Sequence, residues 1–180
     1  EATSLFDELG LRVELDGTTG LIEPETSFEK LVLSDKACIQ CGEVSGERAL
    51  CLTCGSCLCV AKCEVLADSL ASPRPGNCNR HMTQCSGDLG MFLLLRTSEI
   101  VALRRVSSGR GPTRGTKLGS IYLDSHGEQD IGLRRGRPLQ LSKPLFAQLN
   151  RQWIKGEVGI LIARDVAAQS RIKIVPWDAY

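Results

Sequence analysis

The chain has 180 residues, enough for one domain with a core of its own. Its 22 basic and 21 acidic residues leave a net charge of +1, which argues against the global basic character of a nucleic-acid binder. The longest apolar run, residues 91–95, falls far short of the roughly 18 residues of a membrane span. Aromatics make up only 4% and glycines number 18, so the composition predicts an interior that is thin in places and needs support. The chain opens on Glu1 with nothing like a signal peptide, which suggests a piece of a longer polypeptide.

Residues 1–36 carry no cysteine and read as an entry segment with short helices. Residues 4–9 predict one or two helical turns ended by Gly10, and residues 11–15 alternate like a short strand stopped by Asp16-Gly17. Residues 24–33 predict a short helix with Pro24 at its start, acids in its first turn, and Phe28, Leu31 and Val32 on one face.

Residues 37–88 form a cysteine-rich lobe that holds all nine cysteines and organises the rest. The pattern is Cys38-x-x-Cys41, Cys51-x-x-Cys54, Cys59-x-x-x-Cys63, and Cys78-x-x-His81 followed by Cys85. Thiolates two or three residues apart close a turn around one ion, and two such pairs complete a tetrahedral Zn²⁺ shell. The favoured arrangement is cross-braced. One ion takes Cys38, Cys41, Cys59 and Cys63; the other takes Cys51, Cys54, His81 and either Cys85 or Cys78. A single ion on Cys51, Cys54, Cys78 and His81 is the rival. Cys57 reads as a buried apolar thiol. Disulfides are the other alternative, but an odd cysteine count and CxxC doublets without secretory marks favour a reducing compartment and metal. Shells dominated by thiolate are poor Lewis acids, and two histidines are few for a hydrolytic centre, so no catalytic residue is assigned. The stretch from Glu64 to Asn77 ends in Ser72-Pro73-Arg74-Pro75-Gly76, a loop signal between ligand pairs.

Residues 89–180 predict a β-meander and a C-terminal helix, forming one compact domain with the cysteine-rich lobe. Residues 91–96 and 100–106 read as a hairpin across Thr97-Ser98-Glu99. Residues 107–119 read as a mobile Gly/Ser/Pro/Arg loop, and residues 120–123 as a third strand. Arg104, Arg105, Arg110, Arg114 and Lys117 give that loop a local basic character, without interleaved aromatics for base stacking. Asp124, His126, Glu128 and Asp130 lie beside Arg134, Arg135 and Arg137. The reading is a salt-bridged turn rather than a cation site. Ser142 as N-cap, Pro144 in the first turn, and Leu145, Phe146, Leu149, Trp153 and Ile154 at helical spacing predict a helix over 143–155. Residues 158–168 are apolar and fit helix or strand; residues 172–175 suggest a last short strand. The fold class is therefore α+β: a zinc-stabilised cysteine-rich lobe, a small antiparallel sheet and a C-terminal helix.

Several stretches together carry a resemblance. They are Gly20-Leu21-Ile22-Glu23-Pro24 leading to Phe28 and Leu31; Ala49-Leu50-Cys51-Leu52-Thr53-Cys54-Gly55 with Leu58-Cys59; and Gly76-Asn77-Cys78 with His81 and Cys85. Gly87 with Gly90-Met91-Phe92-Leu93 continues them, and Tyr122-Leu123-Asp124 through Gly132-Leu133-Arg134-Arg135-Gly136 and Pro138-Leu139 is the most specific. Trp177 near the end fits as well, with Tyr180 as the expected C-terminus. The chain resembles the C-terminal UBR/Leu/Cys, or cap, domain of the UBR-type N-recognin E3 ubiquitin ligases. That resemblance implies a cytoplasmic or nuclear RING-type ligase of the N-degron pathway whose UBR box and RING lie outside this chain. This part would scaffold the ligase and contribute autoregulatory or substrate contacts without transferring ubiquitin itself. The implied partner is the remainder of the same ligase, with a ubiquitin-conjugating enzyme and substrate protein as further candidates, and neither nucleic acid nor membrane. A different class of function, an atypical half-RING module that recruits the conjugating enzyme directly, requires apolar residues such as Leu52 and Leu58 to be exposed beside the zinc loops.

Overall fold

In the computed structural model of the chain, residues 20–34, 36–44, 46–60, 63, 76–105 and 113–169 are described. The elements expected at 4–9, 11–15 and 172–175, most of the 64–77 loop, Arg110 and Trp177 lie outside them.

Five short strands form an antiparallel sheet: β1 (Arg48–Cys51), β2 (Cys57–Cys59), β3 (Leu89–Leu94), β4 (Ile100–Arg105) and β5 (Thr113–Lys117), in the order β2-β1-β3-β4-β5. The register places Ala49 opposite Leu58 and Leu94, Phe92 opposite Val101, and Ala102 opposite Thr116. Side chains alternate faces along a strand, so every second residue belongs to a different interior. Leu50, Met91, Leu93, Ile100 and Ala102 enter the larger core; Ala49, Cys51, Phe92, Leu94, Val101 and Leu103 enter a smaller one. Both faces are covered, which explains why β3 and most of β4 read as continuous apolar runs.

The larger face carries helix α1 (Phe28–Leu33), the ribbon β6 (Tyr122–Leu123) with β7 (Gln140–Leu141), and helices α3 (Lys143–Ile154) and α4 (Val158–Gln169). Phe28 packs edge-to-face on Tyr122 with ring centroids 5.0 Å apart, and Phe146, Leu149 and Trp153 line the buried side of α3. Helix α2 (Asn77–Cys85) covers the smaller face with Cys78 and Met82. Gly90 permits that close approach. A Cβ built there would stand 2.8 Å from Phe92 and 2.9 Å from Met82.

The hairpin of β3 and β4, the helix over 143–155 and the α+β class are as the sequence predicts. Three elements differ. Helix α1 begins at Phe28, not near Pro24, because Ser27 is extended, bridges Gln140, and accepts the Lys30 N–H as N-cap. Residues 113–117 of the expected mobile loop form the edge strand β5. Its Thr113 and Thr116 are buried, and the Thr116 hydroxyl donates to the Asp165 carboxylate of α4. The strand expected at 120–123 shrinks to Tyr122–Leu123 and leaves the main sheet, because Gly119 (φ +74°) turns the chain and Tyr122 Oη then donates to Glu25 O at 2.6 Å. The ambiguous stretch from Val158 is helical, with Val158 and Ile162 inward and Ile160 exposed.

Candidate metal centres

Two segments of identical pattern, Cys38-Ile39-Gln40-Cys41-Gly42 and Cys51-Leu52-Thr53-Cys54-Gly55, fold alike. In each the glycine N–H donates to the first cysteine's carbonyl, at 2.8 Å (Gly42 to Cys38) and 2.9 Å (Gly55 to Cys51). In each the first cysteine's own N–H donates five residues on, to Glu43 O and Ser56 O, both at 2.9 Å. Gly42 and Gly55 both have φ +75°, a left-handed conformation that a side chain would strain. The turns therefore present two sulfurs to one side through backbone geometry alone. The glycine after each CxxC was a legible signal that cysteine spacing by itself does not use.

The fold joins each turn to a second pair of ligands. Cys38 and Cys41 meet Cys59, at the end of β2, and Cys63; Cys51 and Cys54 meet His81 and Cys85, one helical turn apart on α2. Within each group all ligand atoms lie within 4.8 Å of one another. The Cys38–Cys63 and Cys41–Cys59 sulfurs are 3.8 and 3.7 Å apart. A tetrahedral shell with metal–sulfur bonds of about 2.3 Å has edges of about 3.8 Å. Disulfide sulfurs stand about 2.0 Å apart, and all nine cysteines are free. Cys54 Sγ lies 3.2 Å from His81 Nε2.

The surroundings suit thiolate. Cys38 Sγ accepts the N–H groups of Gln40 at 3.5 Å and Cys59 at 3.4 Å, while Cys63 Sγ accepts Asn77 Nδ2 at 3.0 Å. Burial raises the Cys38 thiol, but the backbone N–H groups of Gln40, Cys59 and Cys41 outweigh it and bring its pKa down to about 6. Burial and the neighbouring thiols push Cys63 up to about 11 and Cys85 up to about 12, and raise Cys59 and Cys51 as well. Four sulfurs this close do not all ionise without a cation between them. Burial lowers the pKa of His81, whose ring stands edge-on to Phe92 with centroids 6.4 Å apart, and so favours the neutral, ligating imidazole. Each group offers four donors, one all sulfur and the other three sulfurs with a nitrogen, and such sets fit a tetrahedral divalent ion with no position left open.

The remaining candidates fall elsewhere. Cys78 lies outside both groups, 1% exposed among Met82, Phe92 and Leu58, with its thiol pKa raised by burial. Cys57 is buried in the larger core. Leu52 and Leu58 are both fully buried, and the exposed apolar side chain of the first turn is Ile39. Asn77, adjacent to Cys78 in sequence, carries no spacing signal that marks it as a partner of Cys63. In the acidic turn the arginines neutralise the carboxylates as expected. Arg137 Nη1 reaches Asp124 Oδ2 at 3.2 Å, Arg135 pairs with Glu128, and Asp130 accepts the N–H groups of Arg134 and Arg135 at 3.0 and 2.9 Å. The Glu128 and His126 N–H groups, with Arg137 and Arg135, hold Asp124 at about 2 against the opposing effect of burial. On β5, Lys117 pairs with Glu99 at 2.8 Å. Among the described residues no helix is long and apolar enough to cross a membrane.

Comparison with known proteins adds ancestry to this geometry. The family model Proteolysis_6 C-terminal matches residues 26–155, more than half of the chain and both ligand groups. E3 ubiquitin-protein ligase Ubr3 of Drosophila melanogaster is 33% identical over 136 residues, 74% of this chain and 6% of its own length. E3 ubiquitin-protein ligase ubr1 of Schizosaccharomyces pombe is 33% identical over 147 residues, 81% of this chain and 7% of its own. Human UBR2 is 32% identical over 137 residues, 76% and 7%. The chain thus spans less than a tenth of the length of these relatives. With two matching Cys-x-x-Cys turns and a matched span that includes both four-donor groups, this chain belongs to the Proteolysis_6 C-terminal family, the family shared with the UBR ubiquitin ligases.

Proposed function

We propose that this domain is a structural two-zinc module near the C-terminus of a RING-type E3 ubiquitin ligase of the N-degron pathway. One Zn²⁺ is held by Cys38, Cys41, Cys59 and Cys63, the other by Cys51, Cys54, His81 and Cys85. The observation that carries this reading is the pair of closed four-donor groups within the span matched by the family. A filled thiolate shell offers no open position for substrate or water, so the ions act on the fold, and their binding free energy becomes folding free energy. The domain acts as a cap: it scaffolds the ligase, contacts the remainder of the same polypeptide, and contributes autoregulatory or substrate contacts in the cytoplasm or nucleus. In this reading the domain does not itself transfer ubiquitin.

Direct recruitment of a conjugating enzyme is the weaker reading, because Leu52 and Leu58, which it would present, are buried. The test has two arms. Native mass spectrometry of the purified chain should show two zinc ions. Ubiquitin-charged conjugating enzymes should keep their thioester in its presence, while the same ligase lacking residues 20–169 should lose regulated activity. A metal-free folded chain would overturn the zinc reading, and accelerated discharge would overturn the cap reading.

A further inference from the structure

We infer that Cys54 is an oxidant-sensitive modification site, through which a hydroperoxide dismantles the Cys51/Cys54/His81/Cys85 centre while sparing the other. The inference rests on the metal reading above. Among the eight ligand residues Cys54 is the exposed one; the other seven are buried or half-buried. Reactivity of a ligand sulfur follows its thiolate character and its access, and a bound divalent ion keeps all seven ligand sulfurs ionised. Access then decides. The all-sulfur group has no exposed member: Cys38 and Cys63 are buried, and Cys41 and Cys59 half-buried.

The resolving partner is also in place. Cys85 is the last residue of α2, half-buried, and its sulfur lies within 4.8 Å of Cys54 Sγ. Cys51 is 1% exposed and fixed in β1 opposite Phe92, with its backbone committed to Ser56 and Gly55. The chemistry balances with the peroxide as sole oxidant. The Cys54 thiolate attacks the terminal peroxide oxygen, the O–O bond breaks, hydroxide leaves and a sulfenic acid remains. The Cys85 thiolate then attacks that sulfur, the S–O bond breaks, a second hydroxide leaves and the Cys54–Cys85 disulfide forms. Two thiolates lose two electrons, and hydrogen peroxide becomes two hydroxides. Cys51 and His81 are left as two donors, which cannot close a tetrahedral shell.

The experiment treats the purified 180-residue chain with hydrogen peroxide and follows released zinc with a chromophoric chelator, ion count by native mass spectrometry, and disulfides by peptide mapping. The expected result is release of about one zinc per chain before the second is touched, a Cys54–Cys85 peptide, and restoration by a dithiol with added zinc. In Cys54→His, which keeps four donors and removes the exposed thiol, peroxide-driven release should slow by about tenfold or more. A first disulfide among Cys38, Cys41, Cys59 and Cys63, simultaneous loss of both ions, or wild-type release from Cys54→His would overturn the proposal. The peptide map of the unmutated chain decides the matter even if Cys54→His fails to fold. A chain that carries no zinc before oxidant is added fails the metal reading instead, a separate and earlier readout.

Discussion

Asn77 Nδ2 donates to Cys63 Sγ at 3.0 Å, so the helix that brings His81 and Cys85 to one four-donor group begins on a member of the other. The two groups also share the β1–β2 hairpin, with Cys51 closing β1 and Cys59 closing β2 at the far end, opposite Arg48. Arg48 extends the connection outward, donating to Lys36 O at 2.9 Å and Val32 O at 3.3 Å at the end of α1. Neither centre is an isolated finger.

Replacement of Asn77 by alanine removes the donor to Cys63 without touching a ligand. Partners behind a metal ligand are worth about 10- to 100-fold in affinity. Chelator competition on Asn77→Ala should therefore show one of the two ions held about tenfold more weakly, the one on Cys38, Cys41, Cys59 and Cys63. Equal weakening of both would show instead that the substitution disturbs α2 as a whole.

Cys63→Ala and Cys78→Ala separate ligand from buried thiol. Cys63→Ala should drop the ion count from two to one. Cys78→Ala should keep both ions and cost about 1–2 kcal/mol, the loss of a buried apolar side chain. Native mass spectrometry reads the count and urea unfolding reads the cost. An ion lost from Cys78→Ala would return Cys78 to the ligand set.

Metal loading should weaken in acid. Without an ion, raised pKa values keep Cys59 and Cys63 protonated in one group and Cys51 and Cys85 in the other at neutral pH. Binding displaces those protons, so apparent affinity falls as pH falls below neutrality. Calorimetry in buffers of different ionisation enthalpy measures the protons released. Release near zero would mean that the sulfurs are already ionised in the free protein.

Gly90→Ala tests how closely α2 seats on the sheet. The new methyl meets Phe92 and Met82 below 3.0 Å, and overpacking of this kind costs about 1–3 kcal/mol. Because α2 carries His81 and Cys85, the ion on Cys51 and Cys54 should also be held more weakly. Thermal unfolding with and without added zinc checks both effects. Unchanged stability would show that Met82 can give way.

Much of the fold was legible because its signals are local. Phe146, Leu149 and Trp153 at helical spacing marked α3, and the apolar runs around Phe92 and Val101 marked β3 and β4. Strand β5 was not, because Thr-Arg-Gly-Thr-Lys has no apolar alternation. It is a strand because β4 offers an open edge and Asp165 of α4 accepts from Thr116. For the same reason Tyr122 did not reveal its ribbon: its partner Leu141 lies nineteen residues on, and a pairing of that length leaves no local trace.

At the centres the division is similar. Local sequence by itself determined that Cys38 with Cys41 and Cys51 with Cys54 form tight two-sulfur turns, because two intervening residues and a following glycine fix that geometry within the backbone. It also placed both Cys78 and Cys85 within reach of His81, because three and four residues are both about one helical turn. Only the tertiary structure decided between them. Met82 and Phe92 seat Cys78 in the smaller core and leave the end of α2, with Cys85, facing the turn at Cys54. That choice depends on how a helix packs on a sheet, and packing is a relation between distant segments that no single stretch of sequence contains.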